Sequence, residues 1–301
     1  MGSVSKIYYT TEITPENIIR LYEKLGKKLT GRVAVKVHSG EAGNQNFLKP
    51  LFWKPVIDHV GGTVVECNTA YEGERNYTDR HIRLIKKHGW TDYFNVDLMD
   101  AEGDDIEFPI NRYGQHERHL ASDIMGKNIL NYDSMLVLSH FKGHPMGGFG
   151  GALKQLSIGC ASCAGKVNIH SAGKYRSAAD QGIVWDDLPP QNAFLESMAE
   201  AASAVTDHFN GNMVFVNAMV NMSVDCDCCA IAEDPCLKDI GILISTDPVA
   251  IDQACLDFVK ASKDPGRDHF MERVTTRNGE YTIEVADRLG MGVREYELIE
   301  L

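Results

Sequence analysis

The chain has no uninterrupted run of about 18 apolar residues, so no membrane-crossing helix is expected. The stretch Met1–Thr10 holds no basic segment followed by an apolar one, and a secretory signal is not expected either. Positive charge is scarce: 30 Lys and Arg stand against 42 Asp and Glu, a formal net charge of −12. No Lys/Arg cluster breaks this acidic background. That excludes the basic face a nucleic-acid partner requires. The expectation is a cytoplasmic protein with neither membrane nor nucleic acid as partner. A small-molecule substrate or a redox partner protein remains, and the oligomeric state stays open. No internal repeat or low-complexity linker divides the 301 residues. A single unit over 1–301 is expected, with two lobes of about 1–130 and 131–301 around a cleft as the variant arrangement.

What is present suffices for a core without disulfide staples: 44% of residues are hydrophobic and the mean hydropathy is −0.23. Strands are predicted over 31–37, 63–67, 134–139, 213–217 and 240–244. Helices are predicted over 47–60, 78–88, 191–208 and 248–260. Gly61 and Gly89 stop two of the helices, and Asp247 caps the last with Pro248 in its first turn. Strands alternating with helices imply an α/β fold with a mainly parallel sheet and flanking helices. The polar stretch 95–115 reads as a surface excursion. Two irregular stretches, 143–151 and 225–239, each follow a strand. Ligands gather beyond the carboxyl ends of strands in open α/β sheets, so both stretches are expected at one end of the sheet, in one cleft.

The first irregular stretch has five glycines within nine residues. Gly147, Gly148, Gly150 and Gly151 would let backbone N–H groups approach a bound cofactor, and Lys154 could reach an anion or act as acid or base. The ending lacks the Gly-Lys-Ser/Thr of a phosphate loop, and a plain surface loop is the competing reading. Cysteine is the second unusual feature. Eight cysteines without an export signal point to metal or redox chemistry rather than to disulfides. Cys67 and Cys255 stand in apolar surroundings and read as packing residues. Cys160 and Cys163 form a Cys-x-x-Cys pair, with His170 following. Cys226, Cys228, Cys229 and Cys236 fall within eleven residues. Thiolates so crowded repel unless a cation neutralises them, and Asp225 and Asp227 would worsen the repulsion. The spacing matches neither a zinc finger nor a ferredoxin run.

At these residues the chain resembles the domain of unknown function 362 family. The resemblance is carried by SHFKGHPMGGFGGALKQLSIGCAS, DCDC and DIGILISTDPVAIDQACLDFV, and extends to VKVHSGEAGNQNFLKP and LGMGVREYELI. Many members are described as iron–sulfur centre proteins and carry an inserted ferredoxin module. Here Lys174 to Pro190 contains no cysteine, so any cluster must use the other thiols. The resemblance implies Cys160, Cys226 and Cys228 as ligands of an iron–sulfur cluster or transition metal, with Cys163, Cys229 and Cys236 in reserve. A more distant resemblance links His144, Lys154 and His170, spaced ten and sixteen apart, to lactate racemase and its relatives. In that family such residues hold a nickel-pincer nucleotide and transfer a proton or hydride. The Arg-Asn-Tyr-Thr run at Arg75 is similar to a substrate- or cofactor-binding loop there, although Glu74 replaces the usual histidine. The leading expectation is a metal- or iron–sulfur-dependent redox enzyme with Lys154, His144 and His170 in catalysis. A racemase-like isomerase acting on a small hydroxy acid is the alternative, and a non-enzymatic metal or electron carrier is the third.

Overall fold

The computed structural model describes residues 4–301; Met1–Ser3, which open the Met1–Thr10 stretch, lie outside the described residues. Eight strands form one sheet in the order β12 (Tyr296–Glu300), β1 (Ser5–Thr10), β11 (Gly241–Ser245), β10 (Met213–Met219), β7 (Ser134–His140), β2 (Val33–Lys36), β3 (Thr63–Glu66) and β4 (Val96–Leu98). Neighbours run parallel except around β11, which is antiparallel to both β1 and β10. The expectation of parallel pairing fails there for a physical reason. The link from β10 to β11 contains no helix, so the chain leaves and re-enters the sheet at the same edge. That link is the cysteine-rich stretch. The excursion at 95–115 contributes β4 and also β5 (Asp105–Pro109), which forms a hairpin with β6 (Ser122–Gly126). A second small hairpin joins β8 (Lys142–His144) to β9 (Gly148–Gly150).

Side chains alternate across the central strands with the period of two that a strand imposes. Leu136, Leu138, Val214, Val216, Ile242 and Ile244 pack on one face. There they meet α1 (Pro15–Leu25), α2 (Pro50–Val60) and α3 (Thr78–Lys87). Met135, Val137, Met213, Phe215 and Leu243 pack on the other. That face is covered by α4 (Ala152–Cys160), α6 (Gln191–Phe209), α7 (Pro248–Ala261), α8 (Arg267–Thr276) and α9 (Glu280–Arg288). Burial on both faces is why these strands read as continuous apolar runs. Helix ends follow local chemistry. Asp247 accepts from Val249 N and Ala250 N at 2.9 Å each. Gly61, at φ +69°, closes α2. The helix expected from residue 47 starts at Pro50, because a residue before proline is pushed out of helical conformation. Among the described residues no helix is long and apolar enough to cross a membrane.

One buried group makes stability depend on pH. Asp123 of β6 is fully buried and neither carboxylate oxygen has a hydrogen-bond partner. Burial pushes it up to about 8. An unfolded aspartate ionises near pH 4, so between about pH 4 and 8 the folded chain holds a proton that the unfolded chain has released. The folded state therefore loses stability as pH rises through that window. Asp123→Asn keeps the shape without the ionisation. The variant's melting temperature relative to the parent is expected to rise between about pH 5 and pH 8. An identical difference at both pH values would remove Asp123 from the explanation.

Candidate functional site

The cleft opens at the carboxyl edge of the sheet, where strand order reverses. From β2 the chain moves outward through β3 and β4, whereas β7 lies on the other side of β2 and pairs with β10. A cavity of about 240 Å³ sits there, lined among others by His38 after β2, Arg75 after β3, His144, Lys154, His170 and Cys228. The glycine-rich and cysteine-rich stretches meet at this cavity, as expected. His144, Cys226 and Cys228 present ligand atoms that all lie within 4.8 Å of one another.

The Asp-Cys-Asp-Cys run achieves this by alternation. Cys226 and Cys228 turn toward the cleft while the two aspartates turn away and are paired. Asp225 meets Arg273 at 3.0 Å. Asp227 meets His140 at 2.9 Å and Lys142 at 3.2 Å. Their cationic partners offset the carboxylates' charge, although Asp225 still opposes ionisation of Cys229. Burial alone would raise Asp227, but His140 and Lys142 outweigh it and hold the carboxyl well below the usual range. The loop is also tied to the segment after β2. Asn44 Nδ2 donates to the carbonyls of Cys226 and Cys229, and Asn46 Nδ2 to that of Glu233. Burial opposes ionisation of Cys226 too, yet a hydrogen bond from Cys228 and the ammoniums of Lys154 and Lys142 hold its thiol well below the usual value. Cys228 is pushed up by its hydrogen bonds to Cys226 and Cys229.

Lys154 lies on the first turn of α4, 92% buried, with Nζ 3.5 Å from Cys226 Sγ. His144 Nδ1 accepts from the backbone N–H of Gly147 at 2.8 Å and of Met146 at 3.2 Å. In the neutral ring the proton then sits on Nε2, which lies 3.9 Å from Cys228 Sγ. Taking up a metal at that nitrogen displaces the proton. His170 has the opposite arrangement. Its Nδ1 faces Lys166 O at 2.7 Å, which makes Nδ1 the donor and leaves the Nε2 lone pair free. Burial lowers this ring to about 3, so it is neutral. His38, absent from the sequence-based set, faces Cys226 from the end of β2 and is lowered to about 4 by burial and then by Arg75. Its signal was a histidine two residues past a buried strand.

The family model described as "Domain of unknown function (DUF362)" matches residues 33–257, most of the chain. The chain belongs to that family. No curated protein matches it. Among solved structures it is similar to the lactate racemase apoprotein from Thermoanaerobacterium thermosaccharolyticum, at 12% identity and a TM-score of 0.44, over 85% of this chain and 57% of that one. It is also similar to a crystallised protein from Thermotoga maritima, at 11% identity and a TM-score of 0.46, over 93% of this chain and 60% of that one. The chain thus spans less than two thirds of either neighbour's length.

The other residues singled out in this DUF362 chain divide between the cleft and the core. Cys160 is not brought to the thiol pair. It closes α4 inside the core, its sulfur 4.0 Å from Met135 Sδ, and burial pushes its thiol up to about 12. Cys163 opens α5 (Cys163–His170) in a different apolar cluster, and Cys236 packs against Met222 O. Cys229 lines the cleft beside Cys228. Arg75 lines it as well, and its charge is met by Glu41 at 3.2 Å, Tyr71 Oη at 2.5 Å and Glu66 at 3.7 Å. Gly147, Gly148, Gly150 and Gly151 are absent from the cavity wall. Two of them are needed small for protein contacts: a Cβ on Gly148 would meet Gly279 Cα at 2.8 Å, and one on Gly151 would meet Asp252 Oδ1 at 2.3 Å.

That last contact exposes a residue the sequence reading missed. Asp252 of α7 accepts from Ala152 N at 2.7 Å and Leu153 N at 2.9 Å, capping α4 from another helix and fixing the turn that carries Lys154. Burial pushes Asp252 up to about 6. Gly151→Ala would drive the carboxylate off that helix end. The expected cost is about 1–3 kcal/mol, read as a lower urea midpoint. Gly182→Ala, with open space around its Cβ, serves as the control, and equal midpoints for the two variants would refute the cap.

Proposed function

We propose that this DUF362 protein is a metal-dependent redox enzyme that holds one soft or borderline transition-metal ion on Cys226 and Cys228, with His144 beside them, and acts on a small molecule in the adjoining cleft. The observation that carries this reading is the convergence of two thiols and an imidazole within 4.8 Å. Sulfur and imidazole nitrogen are the donors such ions prefer. A single ion suits the group better than a cluster. A cubane needs about four ligand residues, and Cys160, Cys163 and Cys236 are held elsewhere. When bound, the ion would supply a redox or Lewis-acid centre. The chain's own groups do the rest. Lys154 neutralises the Cys226 thiolate, and Asp227 anchors the loop through His140 and Lys142. His170 stays neutral at the cavity wall. A cavity beside the donors favours catalysis over simple metal carriage.

Metal analysis of anaerobically purified protein tests this directly. Cys226→Ser and Cys228→Ser should each lose most of the bound metal, whereas Cys236→Ser should retain it. Metal-free parent protein, or full retention in both loop variants, defeats the reading.

One observation favours an isomerase as a second reading: His144, Lys154 and His170 all line one cavity. Its volume, about 240 Å³, is below the roughly 300–1,000 Å³ of pockets that take larger ligands. The isomerase reading expects deuterium uptake from heavy water at C2 of lactate, abolished by His170→Gln. No uptake by metal-loaded protein removes it for that substrate.

A further inference from the structure

The cleft holds four buried side-chain cations from lysine and arginine, and three have a negative partner. Lys36 Nζ meets Glu66 at 2.7 Å. Arg75 meets Glu41 at 3.2 Å. Lys154 Nζ meets the Cys226 sulfur at 3.5 Å. The fourth is Lys166, on α5 and only 6% exposed. Its Nζ donates to one group, Ala161 O at 2.5 Å, and among the described residues it makes no ion pair. Asp100 acts on it through space, but the hydrogen bonds that Asp100 accepts come from the backbone N–H groups of Asn68 at 2.9 Å and Cys163 at 3.1 Å. A buried ammonium with two unused donors is costly unless something neutralises it. Lys166 lines the cavity, so the missing partner can come from a ligand.

The opposite requirement holds on the rest of the wall. Trp185, Ile158, Met146 and Ala70 line the same cavity. The indole of Trp185 is fixed by a hydrogen bond to Ala70 O at 3.1 Å and packs against the His170 ring at 5.0 Å. A ligand satisfying both sides carries one negative head and a flat apolar body. Lys166, with no ion pair among the described residues, matches a single negative charge.

We propose that Lys166 anchors the carboxylate of a small aromatic or branched organic acid, whose apolar part lies against Trp185. This deepens the reading of the cleft as a small-molecule site and does not depend on the metal. It does not follow from the sequence pattern, in which Lys166 was only a neighbour of the Cys-x-x-Cys pair.

Calorimetric titration with phenylacetate tests it, with phenylacetamide and phenyl phosphate as comparison probes. Phenylacetate should bind, and the isosteric neutral amide should bind roughly tenfold or more weakly, because a charge-assisted hydrogen bond is lost. Lys166→Met should weaken phenylacetate to the same degree while its metal content matches the parent. The amide comparison uses the unaltered protein, so it stands even if the variant folds poorly. Equal binding of acid and amide, undiminished binding by a folded Lys166→Met protein, or no binding of phenylacetate each overturns the proposal. Tighter binding of phenyl phosphate than of phenylacetate overturns the assignment of a carboxylate. Repeating the titration on Cys228→Ser separates the two readings: retained binding there after loss of metal leaves the Lys166 anchor standing by itself, and metal in the parent protein with no phenylacetate binding leaves only the metal reading.

Discussion

A lysine on the first turn of a buried helix is penalised twice. It is taken out of water, and it faces the positive end of the helix dipole. Lys154 is in that position on α4, and the negative group the structure sets against it is the Cys226 sulfur at 3.5 Å. Each member of the pair justifies the other's ionisation. Burial pulls Lys154 down, yet the Cys226 and Cys228 sulfurs keep it raised. The cysteine loop therefore cannot move away from α4 without leaving a buried ammonium unpaired, which costs about 3–5 kcal/mol in comparable cases. Much of the surrounding architecture can be understood as holding these two groups in register.

α4 is held by Asp252, whose carboxylate caps its first turn, and the close approach of that carboxylate requires a glycine at position 151. The loop is held from two sides. Asp227 ties it to the β7–β8 segment through His140 and Lys142. Asn44 and Asn46 tie its backbone to the segment after β2. The residues of the cysteine-rich loop thus divide the work. The cysteines face the cleft, and the polar residues alternating with them satisfy backbone and charge behind it. That also explains why so many charged side chains tolerate burial in one small region.

Much of the fold was legible because it rests on periodicity and punctuation. The runs 134–139 and 213–217 are apolar on both faces and could only be buried strands. Asp247-Pro248 marked a helix start through a capping geometry that local sequence specifies. Strand β11 was legible as a strand but not in its direction, because direction depends on the route of the β10–β11 link. The terminal strands β1 and β12 were not identified, since their half-exposed patterns alternate weakly, and α1 was missed although Thr14-Pro15 and Gly26 mark its ends. The site was legible in part for the same kind of reason. Cys226, Cys228, His144, Lys154 and His170 stand in unusual local patterns. Cys160 also stood in one, and its burial against Met135 depends on tertiary packing that spacing does not encode. His38, Asp252 and Lys166 have no local pattern at all. Each matters through a partner, or the lack of one, that is distant in sequence.

The reversal at β11 connects these points. A helix between β10 and β11 would have carried the chain to the far edge of the sheet before the next strand. Without it, residues 220–240 stay at the carboxyl edge, beside the ends of β2 and β7, where strand order reverses and a crevice opens. The antiparallel strand is thus the topological cost of keeping a cysteine-bearing loop over that crevice. The loop's closeness to α4 then lets one thiolate and one ammonium share a dry pocket. With that pair internally balanced, Lys166 is, among the described residues, the buried lysine of the cleft with no anionic group in direct contact, and this asymmetry gives the cleft a preference for an anionic ligand before any metal is considered.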